Sequence, residues 1–514
     1  MKKIFRYKWQ ILAVFVVLFA LWYFWPARYK RTISYETTRL TTPVDELGYL
    51  DYETFVNEML KGDIKPEENA MVLLVQAIGP KPEGSTVPPD YYQWLEIAEP
   101  EENDTTLTHF TIPDPVNPNK TLNKLPEECG QPWAAEDYPE VAEYLKASQP
   151  ALQMIADAIR RPKFFNPLVN HKVPGKHVSL MNALLAFSQR TRGAGLVLQA
   201  RAMNAIAELR FEDAWRDIYA IQRLGRLLQT NPSCLVEQLV GIAIENTALE
   251  SYQILLTHTD WNAEQIHAKT EMFQRLPAPA STATIMNRSE RCVMLDIVQE
   301  FYVEGFLAGT DQFDLKLFPR MLSRSIDFDV ILRKINTTYD KLEQITDLQD
   351  YEEKHKWCDS FIVLLRQAHQ DRMSSFFLGI ESRSEAVADM LLKLFLPAFS
   401  KVDDAAHRCK MQARNIEIAF ALAECNARTG NYPDTLAELK LPPEKLLDAY
   451  NGKQLRYQLW FEGYILYSPG VNDALIQMLQ VELEEPNQNI INPEMKIFRS
   501  TFVRIPWVPK PFQK

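Results

Sequence analysis

The stretch FEDAWRDIYAIQRLGRLLQT, residues 211–230, decides the fold class of this chain. Its apolar side chains recur at steps of three and four residues, which places them on one face of an α-helix. The rest of the block 179–257 repeats this pattern, and Asn231-Pro232 marks a turn inside it. Amphipathic helices joined by short turns bury their apolar faces against one another. The block therefore predicts three antiparallel helices at the centre of the fold.

Helical periodicity also extends to both sides of this block. The additional helices are expected at about 46–61, 66–78, 90–99, 134–147, 150–161, 262–275, 281–307, 319–348, 351–379 and 384–429. Pro397 is the point at which the last of them would break, since proline removes a backbone donor. No stretch before residue 430 alternates with the period of two that is typical of strands. The body is therefore predicted to be all-helical.

The chain after Gly430 has a different pattern. Thr435 and Glu438 have the spacing of a capping box, which predicts a short helix there. Apolar and polar residues then alternate through 455–460, and a turn at 461–463 leads into YILYS at 464–468. Two short alternating runs joined by a glycine-containing turn predict an antiparallel β-hairpin. The fold class expected for the whole chain is mainly all-α, with a small α+β module at the C-terminal end.

This C-terminal segment resembles one found in uncharacterised, membrane-anchored bacterial envelope proteins, and it is similar to the globular part of major pseudopilins of type II secretion. The matching residues are Gly430, Tyr432, Pro433, Leu436, Asp448, Gly452, Leu455, Tyr457, Gly463, Tyr464, Leu466, Tyr467, Ser468, Gly470 and Asn472. The resemblance covers about 410–473, and the segment 66–79 also looks like that family. The acidic, glycine-rich tail that resembles a calcium loop in pseudopilins is missing after Asp473. The resemblance implies an envelope location and this architecture, without a calcium site.

The stretch WQILAVFVVLFALWYFW, residues 9–25, predicts a single-pass transmembrane helix. It contains no charged side chain, and a helix of this length nearly spans a hydrocarbon core of about 30 Å. The aromatic anchors at its ends are Trp9, Trp22, Tyr23 and Trp25. Tryptophan and tyrosine side chains prefer the level of the lipid headgroups. Bulky rings at the end of the run favour an uncleaved signal anchor over a signal peptide, and the absence of a preceding glycine argues against a prepilin. We expect the bacterial inner membrane as the location, with the body in the periplasm.

Composition excludes several function classes. The formal net charge of −11 argues against a nucleic-acid partner, which would require a basic face. Six dispersed cysteines lack CxxC spacing, and the eight histidines form no metal-binding motif, so neither a metal nor a cofactor is predicted. Glu237 and Glu245 fall on one helix and are candidates for buried acid–base groups, although hydrogen-bonded structural carboxylates are commoner.

One basic patch stands out against this acidic background, RRPKFFNPLVNHKVPGKH at residues 160–177. Its candidate binding residues are Arg160, Arg161, Lys163, Phe164, Phe165, His171, Lys172, Lys176 and His177. Basic groups beside aromatic rings suit an anionic lipid headgroup or an anionic glycan. The alternative interpretation is a solvated loop between helices.

These observations divide the chain into five parts. They are a signal anchor at 1–31, a stalk and irregular segment at 32–132, a helical body at 133–410, the pseudopilin-like helix and hairpin at 411–473, and a C-terminal helix with a proline-rich tail at 474–514. No residue pattern demands catalysis, so the leading hypothesis is a binding or scaffolding protein of the cell envelope, with another envelope protein as a candidate partner.

Two alternatives remain open. One is an envelope enzyme whose site combines polar residues distant in sequence, which a pocket with pKa-shifted carboxylates or histidines would favour. The other is a component of a secretion apparatus.

Overall fold

A computed structural model describes residues 12–18, 31–82, 84, 86–101, 105–113, 121–183, 185–304, 326–346, 351–375, 379–450, 452–460, 463–467 and 502–505. The fold is mainly helical, as the periodicity predicts. In chain order the helices are α1 (Tyr52–Lys61), α2 (Ala70–Ile78), α3 (Pro89–Leu95), α4 (Pro139–Ala147), α5 (Gln149–Ala158), α6 (Ala186–Ala207), α7 (Phe211–Thr230), α8 (Leu235–His258), α9 (Ala263–Gln274), α10 (Thr282–Ile285), α11 (Arg291–Glu304), α12 (Phe328–Thr346), α13 (Tyr351–Ser375) and α14 (Ile380–Thr429). The strands are β1 (Ile112–Pro113), β2 (Thr121–Leu122), β3 (Arg456–Trp460), β4 (Gly463–Tyr467) and β5 (Phe502–Ile505).

The three central helices α6, α7 and α8 pack against one another, and α14 covers α8 and α9. A cluster of aromatic rings joins these elements: the ring centroids of Trp215 and Tyr252 are 5.2 Å apart, and those of Tyr252 and Phe420 are 5.6 Å apart. Helix α6 begins at Ala186, later than the periodicity from residue 179 suggests. Leu180–Asn182 instead form a short 3-10 turn, with the side chain of Ser179 accepting from the Met181 amide.

Helices α7 and α8 approach so closely that two glycines are required between them. A Cβ atom added to Gly225 would lie 2.7 Å from the amide nitrogen of Glu245 and 2.8 Å from the carbonyl oxygen of Gly241. A Cβ atom added to Gly241 would lie 2.9 Å from the carbonyl oxygen of Gly225. Close packing of this kind leaves no room for a methyl group. This contact fixes the spacing of the two helices.

A buried extended segment, residues 164–170, runs through the core beside α1 and α2. Two asparagine side chains make the hydrogen bonds to its backbone that a neighbouring strand would make in a sheet. Asn57 donates to the Leu168 carbonyl at 2.7 Å and accepts from the Leu168 amide at 2.9 Å. Asn69 makes the same pair of bonds with Phe165, both at 2.9 Å. Asn69 is also the N-cap of α2, which therefore begins at Ala70 and not at the predicted Pro66.

Helices α10 and α11 form one continuous helix through a π-helical turn at Met286–Glu290. The periodicity predicts a single helix over 281–307 and gives no indication of this turn. A π-helical turn inserts one extra residue and is often found at functional sites.

The C-terminal module contains the predicted β-hairpin. Strands β3 and β4 are antiparallel, with Tyr457 opposite Leu466, and Thr435 with Glu438 forms the expected capping box. Helix α14 continues through Pro397 as one 50-residue helix, so the break expected there is wrong. Strand β5 pairs antiparallel with β4, and β1 pairs with β2. The last two pairings were not predicted.

The predicted transmembrane segment is described only at residues 12–18, which are helical and exposed. Trp9, Trp22, Tyr23 and Trp25 lie outside the described residues. Within the described ranges, no helix combines the length and the apolar character needed to cross a bilayer. The helix expected after residue 474 and the proline-rich tail at 506–512 also lie outside those ranges.

Candidate functional site

Four segments from three distant parts of the sequence enclose a cleft of about 580 Å³. They are the loop 44–47, the first residues of α1, the loop 170–178 and Asp296 of α11. Small-molecule sites in proteins usually have volumes of about 300–1,000 Å³. The cleft therefore has the size of a site for one small ligand.

The first wall of the cleft is a tight loop organised by the Asp45 carboxylate. Asp45 Oδ1 accepts from the backbone amides of Leu47 and Tyr49, at 2.9 and 2.8 Å. Gly48 completes the loop with a φ of +80°, a conformation that other residues rarely adopt. These bonds hold the second oxygen of Asp45 near the ring of His177, at 3.6 Å from Nδ1.

The chain that forms the opposite wall reverses its direction at the turn Val173-Pro174-Gly175-Lys176. In this turn the Lys176 amide donates to the Val173 carbonyl at 3.0 Å. Proline followed by a glycine of positive φ, here +72°, is the pattern of a type II turn. The turn brings the residues on its two sides, Lys172 and His177, to the same cleft.

His177 is held between two carboxylates. Its Nε2 lies 2.8 Å from Asp296 Oδ1, and because that oxygen only accepts, the ring nitrogen donates. Asp296 also accepts from the Leu180 amide at 2.8 Å and from Gln299 at 3.1 Å. Burial lowers the pKa of His177, but the hydrogen bond and charge of Asp296 and the charge of Asp45 outweigh it, so the pKa lies above its ordinary value. The protonated imidazolium is the form that this site stabilises.

Glu53 and Asn170 form the polar floor of the cleft. Glu53 Oε2 accepts from both the backbone and the side-chain nitrogen of Asn170, each at 3.1 Å. Burial raises the pKa of Glu53 to about 7, although the bonds from Asn170 lower it. The Asn170 Nδ2 group also donates to the Val178 carbonyl. Its two acceptors, Glu53 and the Val178 carbonyl, therefore fix the orientation of the side-chain amide.

This orientation leaves Asn170 Oδ1 buried without a hydrogen-bond partner among the described residues. Asn170 is only 2% exposed. Leaving a buried acceptor unpaired costs about 1–3 kcal/mol, so such a group calls for a partner such as a bound water, ion or ligand. A ligand that supplies an N–H or O–H donor would satisfy it.

The cleft carries a negative balance of charge. The carboxylates of its lining are Asp45, Glu46, Asp51, Glu53 and Asp296, against the basic side chains Lys172, Lys176 and His177. Lys172 in addition forms an ion pair with Asp90 outside the cleft. A cationic ligand is favoured in such a field over an anionic one.

The structure separates the basic patch predicted at 160–177. Lys172, Lys176 and His177 line the cleft, whereas Arg160, Arg161, Lys163, Phe164, Phe165 and His171 do not. The two rings are buried, at 2% and 1% exposure, and face no solvent.

Three of the basic groups outside the cleft, Arg160, Arg161 and Lys163, have protein partners, and His171 is exposed. Arg161 donates to the carbonyls of Pro66 and Asn69 at 2.7 and 2.8 Å, and Lys163 pairs with Asp63 and Glu68, both at 3.2 Å. Arg160 is exposed and pairs with Asp157. An anionic partner for this patch stays a prediction.

The other candidate carboxylates are enclosed in hydrogen-bonded networks. Glu237 accepts from Asn166 at 2.6 Å and from Ser188 at 2.9 Å, and Glu245 pairs with Arg226 at 2.6 Å. Neither lines the cleft. Over the ranges that the structure describes, no group of three or more His, Cys, Asp or Glu side chains is placed to hold a metal ion.

The comparisons with known proteins add no relative. No family model, curated protein or solved structure matches the chain. The similarity of residues 410–473 to envelope proteins therefore stays a prediction, and the cleft is interpreted from its own chemistry.

Proposed function

We propose that this chain is a membrane-anchored binding protein of the bacterial cell envelope, and that its cleft binds a small ligand carrying a protonated amine. The location rests on the apolar stretch at 9–25 and on the resemblance of the C-terminal segment. The ligand class rests on one observation, the buried and unpaired Asn170 Oδ1 beside the Glu53 carboxyl in an acidic cleft.

An ammonium group matches these two acceptors. It donates three hydrogen bonds and accepts none, so it satisfies Asn170 Oδ1 and the Glu53 carboxylate together. An aliphatic amine is protonated at neutral pH, with a pKa of about 10. The charge of the ammonium group favours the ionised form of Glu53. Because the pKa of Glu53 is about 7, the carboxyl group loses its proton readily at neutral pH.

Calorimetric titration of the full-length chain in mild detergent tests this proposal. The probe is 1,5-diaminopentane, and its neutral counterpart is 1,5-pentanediol. We expect the diamine to bind and the diol to bind at least tenfold more weakly, because a hydrogen bond to a charged group contributes about 1.5–3 kcal/mol. Equal affinity for both compounds, or no binding of the diamine, would contradict the proposal.

Two variants localise the binding. Glu53→Gln retains the shape of the side chain without its charge and is expected to weaken diamine binding about tenfold. Glu58→Gln is the matched control, since Glu58 lies on the same helix, is exposed and does not line the cleft. A similar loss in both variants would show that overall charge, and not the cleft, attracts the diamine.

A second candidate function is an acid–base enzyme acting on envelope material. One observation favours it: Glu53, with a pKa of about 7, and His177, with a raised pKa, line the same cleft. Groups that titrate near neutral pH suit general acid–base catalysis. Mass spectrometry of purified envelope fractions after incubation with the parent chain, Glu53→Gln and His177→Gln tests this function, since a product made by the parent and by neither variant would support it.

A further inference from the structure

The cleft described above has an apolar rim. Three side chains form this rim, Val44, Leu47 and Val173, which line the cleft and are 53%, 46% and 46% exposed. They belong to the two loops of its opposite walls, 44–47 and 170–178. Exposed apolar residues grouped around one opening mark an interaction site, whereas scattered ones are ordinary. The rim therefore suits a ligand whose polar end enters the cleft and whose outer part is apolar.

A lysine stands beside the apolar rim. Lys176 ends the turn that carries Val173, lines the cleft and is exposed. Among the described residues no carboxylate forms an ion pair with Lys176, in contrast to Lys172, which pairs with Asp90. A lysine ammonium group is a common contact for a phosphate oxygen in proteins. The cleft thus combines acceptors at its polar floor with one available cation near its opening.

The segment that follows the predicted membrane anchor is attached to a wall of the cleft. Arg31 donates to Gln299 Oε1 at 2.5 Å, and Gln299 Nε2 donates at 3.1 Å to Oδ1 of Asp296, which lines the cleft. The six residues from Trp25, the end of the predicted anchor, to Arg31 span at most about 22 Å, since each residue extends a chain by no more than about 3.6 Å. The cleft is therefore tethered within reach of the lipid headgroups.

The chemistry of the cleft discriminates between lipid headgroups. Its carboxylates outnumber its basic side chains, so it repels a headgroup with a net negative charge. A trimethylated ammonium group has no N–H and cannot donate to Asn170 Oδ1. A primary ammonium group next to a phosphodiester donates to Asn170 and Glu53 and brings a phosphate for Lys176. A zwitterionic headgroup with a primary amine therefore fits best.

We propose that the amine bound in the cleft is the headgroup of a membrane phospholipid with a primary ammonium group, as in phosphatidylethanolamine. The ammonium group contacts Glu53 and Asn170, the phosphate contacts Lys176, and the glycerol and first acyl carbons lie against the apolar rim. This inference rests on the proposed amine-binding function and adds the chemical class and the source of the amine.

Native mass spectrometry of the full-length chain, purified in detergent and stripped of lipid, tests this headgroup. The chain is titrated in turn with phosphatidylethanolamine, phosphatidylcholine and phosphatidylglycerol that carry the same acyl chains. We expect phosphatidylethanolamine to bind at least tenfold more tightly than either of the others, and excess 1,5-diaminopentane to abolish this preference. Equal binding of the three lipids would overturn the proposal.

Two lysine variants locate the phosphate. Lys176→Gln removes the cation beside the rim, whereas Lys146→Gln removes one from an exposed position on α4 that does not line the cleft. We expect Lys176→Gln to bind phosphatidylethanolamine about fivefold more weakly, since an exposed ion pair contributes little, and Lys146→Gln to match the parent. Both variants should bind 1,5-diaminopentane at least as tightly as the parent within about twofold, because the diamine has no phosphate. Equal lipid binding by the two variants would contradict the phosphate contact.

A soluble probe separates a membrane lipid from a free amine. Glycerophosphoethanolamine has the same ammonium and phosphate groups but no acyl chain, so it leaves the apolar rim uncovered. We expect more than a tenfold excess of it to be needed to displace phosphatidylethanolamine. Val173→Ser should weaken lipid binding about threefold, whereas Val363→Ser, at a 49% exposed position on α13, should not. Displacement at equal concentration would assign the cleft to a soluble amine and overturn the choice of a lipid.

The lipid inference and the amine-binding function fail in distinguishable ways. A parent chain that binds 1,5-diaminopentane but shows no preference for phosphatidylethanolamine retains the amine site and refutes the lipid as its source. A parent chain that binds neither compound refutes both.

Discussion

Replacing Glu53 by Gln is expected to stabilise the protein at neutral and alkaline pH. Gln keeps an oxygen that accepts the two bonds from Asn170, so the variant removes the ionisable group and leaves the geometry. Burial is the main cause of the raised pKa of Glu53. Ionising this carboxyl in the folded protein therefore costs more than in the unfolded chain.

The size and sign of the effect follow from the pKa. A rise from 4.5 to about 7 corresponds to about 3 kcal/mol, at 1.36 kcal/mol for each pH unit. Because the folded state binds this proton more tightly, the contribution of Glu53 to the free energy of unfolding is highest below about pH 4.5 and decreases as the pH rises through 7. We expect the parent and Glu53→Gln to be equally stable in acid and the variant to be more stable by up to about 3 kcal/mol above pH 7.

Urea unfolding of the full-length chain across this pH range, followed by far-ultraviolet circular dichroism, measures the difference. Comparing the two proteins at each pH cancels the contributions of groups that they share. Glu58→Gln is the control and is expected to follow the parent, since Glu58 is exposed on the same helix. Parallel stability curves for the parent and Glu53→Gln would refute the reasoning, because they would show that Glu53 has the same pKa in the folded and unfolded chain.

The remaining predictions concern the elements that hold the cleft and the core. Asn57→Ala removes both bonds to Leu168 and is expected to lower the unfolding free energy by about 2–5 kcal/mol, measured by urea unfolding, because two buried backbone groups lose their partners. Gly225→Ala is expected to cost about 1–3 kcal/mol from the clash with α8, whereas Gly193→Ala, whose Cβ would make an ordinary van der Waals contact with Arg190 Nη1 at 3.9 Å, should gain up to about 1 kcal/mol from helix propensity. An Asn57→Ala protein as stable as the parent, or equal effects at the two glycines, would contradict these contacts. His177 stabilises the fold fully below its unfolded pKa of about 6.5, and this contribution is lost as the pH rises through its raised folded pKa; His177→Gln should therefore destabilise the protein in acid more than in alkali, in the same unfolding assay.

Local periodicity predicts the helices of this fold because each apolar face is contained in one continuous stretch. The three helices of 179–257 and the hairpin at 455–468 are examples. The π-helical turn at Met286–Glu290 escapes this reasoning, since it inserts a single residue into a helical pattern that continues on both sides. Helix α14 continues through Pro397 against the local rule because packing along its length outweighs one lost hydrogen bond.

The cleft was only partly predictable. His177 and Lys172 are in the basic patch predicted from the sequence, but their partners are more than 80 residues away, as in the pairs His177–Asp296 and Lys172–Asp90. No local pattern encodes such pairings, which depend on how the helices pack. Two signals were available: the turn Val173–Lys176 and the polar Asp296 within an apolar helix. The sequence places Phe164 and Phe165 among the candidate binding residues because adjacent charges conceal the apolar run to which they belong.

Proton release on amine binding tests the central claim most directly. Titrating the parent chain with 1,5-diaminopentane at about pH 7, in two buffers of different ionisation enthalpy, gives the number of protons released for each ligand bound. Since the pKa of Glu53 lies near that pH, we expect a fraction of a proton to be released for each ligand bound, and none from Glu53→Gln. Binding without proton release, or with the same release in both proteins, would contradict the claim that the ammonium group meets Glu53 in the cleft.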